Sequence, residues 1–187
     1  PMGNFWTVEF SGFDLILGRV DRLSRIFLII FTIMAFIGVL FALKVEDNLQ
    51  QVSGLVYAGS TLGVVMAGDL LSLYLFWEIM AISSTFLVIA PRTKAARDAG
   101  FRYLLVHVVG GLILLAGIVF YIQKTGTTSF DYIGLNDPAS WFIFIGIALN
   151  AAAIPLHSWL PDAYPMGTPT STVFLSAFTT KSAVYLL

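Results

Sequence analysis

No cysteine occurs anywhere in the 187 residues. Disulfides, thiolate zinc sites and cysteine-ligated iron–sulfur clusters are therefore excluded within this segment. Charge is nearly as scarce, since Asp, Glu, Lys and Arg together make up 11% of the chain and sum to −1, against roughly 25% charged residues in ordinary soluble domains. No arginine-rich surface domain is present to hold nucleic acid. No glycine-rich phosphate loop follows a strand, so nucleotide chemistry has no seat. No resident metal or cofactor is expected, and any redox or ATP-driven reaction belongs to partner chains. The chain opens on Pro1 without a basic leader or a small-residue cleavage site, and its last apolar run is cut short. It reads as a piece of a longer protein rather than a signal-bearing precursor.

What fills the space left by charge is apolar: 58% of residues are hydrophobic and the mean hydropathy is +0.87. That composition belongs in a bilayer, where a spanning helix needs about 20 apolar residues. The apolar runs predict six membrane helices, over 24–43, 52–68, 70–90, 100–123, 140–160 and 170 onward. Residues 1–23 are too polar and too interrupted by glycine to span. Their alternation around Gly12 predicts a short β-hairpin at the membrane surface, with Trp6 and Phe10 at the interface. The expected fold is thus an all-α, polytopic transmembrane helical bundle with a short N-terminal hairpin.

Arg92, Lys94 and Arg97 lie between the third and fourth spans, with Arg102 just beyond, which assigns that loop to the cytoplasm. Arg19, Arg22 and Arg25 argue the other way, but Asp14 and Asp21 lie among them. Gly59, Gly63 and Ala67 recur at four-residue spacing, a stripe that would let a neighbouring backbone approach closely. Pro155 removes a backbone donor inside the fifth span, and such a break is tolerated where protein or water satisfies the freed groups.

Four residues stand out as carriers of chemistry. Glu78 lies about nine residues beyond Asp69, roughly 13 Å along its helix and near mid-membrane, where two methylenes cannot carry a carboxyl to water. Lys181 lies about twelve residues after Pro169, roughly 18 Å into the last span, and requires an acid within reach. His107, beside the Gly110–Gly111 pair, serves as an interfacial anchor or as a proton relay. Asn150 binds water or hydrogen-bonds without titrating. The plainer readings are a protonated Glu78 donating one interhelical hydrogen bond and a permanently paired Lys181. Asp69 is expected to cap the helix that follows it. His157, Trp159 and Asp162 are placed near the interface or a helix end, supporting the break at Pro155.

Three strings, in order, carry a resemblance. They are Phe76-Trp-Glu-Ile-Met after Gly68-Asp-Leu-Leu-Ser-Leu, then Ile154-Pro-Leu-His-Ser-Trp-Leu-Pro-Asp-Ala-Tyr-Pro, then Val173-Phe-Leu-Ser-Ala-Phe-Thr-Thr-Lys-Ser-Ala-Val-Tyr. Together they resemble the antiporter-like proton-conducting membrane subunits, which include the D-type component of Mrp sodium/proton antiporters, the large membrane-arm subunits of complex I and subunits of membrane-bound hydrogenases. The resemblance implies the first part of an inverted-repeat fold with a discontinuous helix at Pro155. It makes Glu78 the helix-five glutamate and Lys181 the helix-eight lysine. One departure stands out: Asn150 occupies a position where the family usually has a lysine, and His107 is the nearest titratable substitute.

The resulting expectation is proton or cation/proton translocation along Glu78, His107, Asn150 and Lys181, in a prokaryotic plasma-membrane complex of the Mrp or hydrogenase type. Its partners would be other membrane subunits, the lipid bilayer, protons and, in the antiporter case, sodium, with no nucleic acid. Rival expectations are a complex I type subunit, a structural subunit whose proton path is inactive, and an intramembrane hydrolase using His157, Asp162 and Glu78.

Overall fold

The structure, a computed structural model, describes residues 3–10, 12–129 and 132–187. Pro1, Met2 and Ser11 of the expected hairpin segment lie outside them. Strands β1 (Gly3–Phe10) and β2 (Phe13–Val20) form an antiparallel hairpin, with Thr7 opposite Ile16 and Phe10 opposite Phe13. Trp6 and Phe10 are exposed on it. Helices follow as α1 (Arg22–Ala42), α2 (Asn48–Met66), α3 (Leu70–Ile89), α4 (Lys94–Thr125) and α5 (Pro138–Asn150). The chain then forms a short α6 (Trp159–Ala163), a 3₁₀ turn, α7 (Pro169–Ala177) and α8 (Thr179–Leu186).

Local chemistry accounts for where these helices start. Asp21, Asp47, Asp69, Thr93, Asp137 and Thr168 each occupy an N-cap and accept from the first-turn amides, the role short oxygen-bearing side chains fill best. Pro138 and Pro169 stand just inside two of these starts, where a missing N–H costs nothing. Asp69 does more than cap. Besides Leu71 N and Ser72 N at 2.9 Å, it accepts Ile16 N at 2.6 Å, while Gly68 N donates to Ile16 O at 2.8 Å. The hairpin is therefore pinned to the α2–α3 turn.

Arg22–Ala42, Leu70–Ile89 and Lys94–Thr125 are long and apolar enough to cross a membrane. The span expected over 52–68 is the continuous α2, whereas the last two expected spans depart from continuous helices. The one expected over 140–160 stops at Asn150, followed by a turn-rich stretch before Trp159. Asn150 is therefore the last residue of α5 rather than the middle of a long helix, and Pro155 sits exposed in the irregular segment.

The helix expected from 170 is split at Phe178, where no proline or glycine marks a break. A continuous helix would pair Thr179 N–H with Leu175 C=O. Here Thr179 N donates to Tyr57 Oη at 2.9 Å and Leu175 O accepts from Tyr164 Oη at 2.8 Å. Two buried tyrosine hydroxyls replace one helical bond, as buried backbone groups require.

The glycine stripe of α2 does not admit a neighbouring backbone. Gly59 faces open space and Gly63 lies under the Phe76 ring. The close helix approach occurs between α4 and α5. A Cβ on Gly146 would stand 2.9 Å from both Gly110 O and Leu114 N, so any side chain there would push the helices apart. The core runs through α2, α3, α4 and α7, with Tyr57, Trp77, Met80, Tyr103 and Phe178 buried. Helix α1 turns Ile26, Ile29, Ile33, Phe36 and Leu40 outward, a face suited to acyl chains.

Candidate functional site

Helices α3, α4 and α5 bring three of the expected residues to neighbouring levels. Glu78, half-buried on α3, lies against α4 where Gly111 leaves room: a Cβ at position 111 would stand 2.1 Å from Glu78 Oε1. Tyr74, one turn earlier on α3, is its polar neighbour. His107 is one turn from Gly111 on the same face of α4 and is 1% exposed. Helix α5 runs antiparallel to α4, with Ile143 against Gly117 and Leu149 against Gly110. Asn150, one turn beyond Gly146, therefore lies within about a turn of His107 along α4, and it is 0% exposed.

The orientation of His107 follows from its hydrogen bond. Its Nδ1 lies 2.9 Å from Tyr103 O. A carbonyl only accepts, so Nδ1 carries the hydrogen and the neutral ring presents Nε2 as a bare acceptor. The ring is wedged between Tyr103, at 4.0 Å between centroids, and Trp159, at 4.6 Å. Trp159 donates to Leu149 O at 2.9 Å, which closes the free end of α5. Trp159 is thus buried rather than at the interface where its sequence position suggested, whereas His157 is exposed.

Four buried side-chain atoms have no protein hydrogen-bond partner among the described residues: Trp77 Nε1, His107 Nε2, and both Asn150 Nδ2 and Oδ1. Buried polar groups are ordinarily paired, so these four, carried by α3, α4 and the end of α5, mark the candidate site. Trp77 was not singled out from the sequence, where it reads as one more aromatic in an apolar run.

The remaining expected residues lie elsewhere. Lys181 is exposed, makes no ion pair among the described residues, and donates to Ser176 O at the end of α7. A cation at a helix C-terminus offsets its free carbonyls, but this arrangement does not supply the acid partner expected from the sequence. Asp162 pairs with Arg102 through two contacts of 2.8 Å, fastening α6 to the start of α4. The guanidinium holds the Asp162 carboxyl below its usual range. No cluster of three or more His, Asp or Glu able to hold a metal occurs among the described residues.

A helical membrane bundle, discontinuous at two helices and carrying an acid against a glycine window, defines the class of protein. A family model described as NADH:quinone oxidoreductase/Mrp antiporter, TM, matches residues 67–187, and the chain belongs to that family. The Na(+)/H(+) antiporter subunit A1 of Staphylococcus aureus is 32% identical over 199 residues, covering 97% of this chain and 24% of that protein. The chain thus spans about a quarter of the length of the curated relatives it matches. A chain of the Mrp complex from Dietzia sp. shares the fold, with a TM-score of 0.78 at 24% identity over 90% of this chain and 34% of that one. A chain of an archaeal membrane-bound sulfane sulfur reductase gives 0.82 at 25% identity over 92% and 38%. The expectation from the motifs is the D-type component of the Mrp antiporters or a hydrogenase-type subunit, whereas the Staphylococcus aureus relative is of the A1 type.

Proposed function

We propose that this chain is the proton-handling part of a larger membrane subunit in a multisubunit cation/proton translocating complex of the Mrp antiporter kind, in a prokaryotic plasma membrane. Glu78 is its proton carrier. Other membrane subunits and the lipid bilayer are its partners, and protons, exchanged against sodium, are its substrates. The observation that carries this reading is the seat of Glu78: a carboxyl within an apolar helix, lodged at the Gly111 window beside buried polar atoms that no protein group satisfies. A buried acid of this kind marks a functional site where no counter-charge locks it, and no ion pair locks it among the described residues.

The test is Glu78→Gln in the full-length subunit within its assembled complex, with sodium-dependent proton movement followed in everted membrane vesicles. Loss of movement with normal assembly is expected. Undiminished movement overturns the reading in favour of a scaffolding subunit, which draws its support from Lys181 being engaged by Ser176 O rather than by an acid.

A further inference from the structure

Two features converge on the layer between α3, α4 and α5. The first is the set of unpaired atoms. Trp77 Nε1 can only donate, His107 Nε2 accepts in the tautomer fixed by Tyr103 O, and the Asn150 amide offers both a donor and an acceptor. This mixed and neutral set matches water, which donates and accepts, and does not match a bare cation, which Trp77 Nε1 would repel. The second is a neighbouring cavity, lined mostly by apolar side chains, that none of these residues itself lines. This cavity, of about 370 Å³, is lined by Leu70 and Leu73 of α3, Leu114 of α4, and Ser140, Ile143 and Ile147 of α5. Leu73 and Ile147 stand about one helical turn short of Trp77 and Asn150 respectively.

We propose that Trp77, His107 and Asn150 enclose a hydrated pocket in which His107 Nε2 accepts the proton released by Glu78, relayed through a water molecule. The step rests on Glu78 being the proton carrier. The Glu78 O–H bond breaks, the intervening water passes a proton on, and an N–H bond forms at His107 Nε2. A carboxylate and an imidazolium result. The imidazolium then returns its Nε2 proton to water held by Asn150, and Glu78 is reprotonated from the aqueous phase, so one proton moves and nothing is oxidised or reduced. Tyr103 O keeps the Nδ1 hydrogen in place throughout, so the ring works at one nitrogen and need not flip.

The groups facing His107 leave this role to it. Helix α3 presents Glu78, and α4 itself presents Tyr103, whose hydroxyl donates to Ser84 Oγ at 2.9 Å. Helix α5 carries no titratable side chain. The segment after it presents Trp159 and, behind it, Tyr164, whose hydroxyl is bound to Leu175 O. Asp162 of α6 is engaged by Arg102.

Three variants of the full-length subunit in its assembled complex test the assignment, read as proton movement in vesicles across pH together with thermal stability. Glu78→Gln is the control for the underlying reading: if it retains movement, that reading fails and the relay with it. With Glu78→Gln inactive, His107→Gln is expected to slow movement about tenfold or more and to flatten its pH profile. An unchanged rate and profile overturn the relay alone. Asn150→Leu keeps the branched outline of the side chain and removes both unpaired amide atoms. If the pocket were dry, this change would leave transport untouched, and that outcome overturns the relay even where His107→Gln fails to assemble. The relay instead predicts a slower rate, about tenfold, in a complex at least as heat-stable as the native one.

Discussion

Two buried polar regions lie a few turns apart and are built on opposite terms. At the split between α7 and α8, side chains take up freed backbone groups: Thr179 N and Oγ1 meet Tyr57 Oη, Leu175 O meets Tyr164 Oη, and Ser176 O meets Lys181 Nζ. In the layer between α3, α4 and α5, four polar atoms of Trp77, His107 and Asn150 meet none. An unsatisfied buried donor or acceptor costs about 1–3 kcal/mol. The first region therefore holds a broken helix in place, and the second gives up stability to keep polar atoms available. Satisfied groups make structure, and the unsatisfied ones are where the proposed water would bind.

The sharpest way to break this contrast is at the acid. Glu78→Gln is expected to reduce proton movement about 100-fold or more, the scale of losing a positioned proton donor, with assembly and melting temperature unchanged. Gly111→Ala comes next. Its Cβ would meet the Glu78 carboxyl at 2.1 Å, so the acid must swing aside, and movement should fall about tenfold through misplacement alone. Vesicle transport assays read both.

On the paired side the order of effects reverses. Tyr57→Phe strips the partner from Thr179 N and Oγ1 and should lower stability by about 1–3 kcal/mol in thermal denaturation, with transport affected less than by either variant above. The smallest effect is expected at the surface pair of Lys124 and Asp137, where the ammonium and the Ser140 amide hold the Asp137 carboxyl at about 2, down from 3.8. A lowered carboxyl pKa contributes stability above its unfolded value that is lost as pH falls through the folded one. Stability should therefore decline between about pH 4 and pH 2, and Asp137→Asn should remove that part of the decline in an acid melt series.

Much of this was legible residue by residue. The apolar runs located α1, α3 and α4, the Gly12 alternation located the hairpin, and Asp69 read correctly as a cap. Glu78 and His107 were conspicuous as rare titratable groups in apolar surroundings, and the structure places them one helical turn from each other's contacts. The helix expected over 140–160 was half right. Pro155 signalled a break, but the helix stops earlier, at Asn150, where Ala152 turns left-handed and both Ala152 N and Trp159 Nε1 reach Leu149 O. The split at Phe178 left no local trace, since its cause is a pair of tyrosines from α2 and the segment after α6.

Lys181 shows where linear reasoning runs out. Depth along a helix suggested a central charge in search of an acid, yet the split turns the ammonium onto the carbonyl end of α7. Trp77 shows the converse, a residue with no signal in sequence whose buried Nε1 is left without a partner by the packing around it.

Taken alone, the sequence determined the solvent, the class and the rare ionisable groups, because a residue's hydrophobicity and charge belong to that residue wherever it is placed. Which polar groups are satisfied, which helices break without a breaker, and which acid faces which base were decided by tertiary structure. Hydrogen-bond partners are chosen by distance in space, and here Tyr57 and Thr179, 122 residues apart, lie within one hydrogen bond of each other.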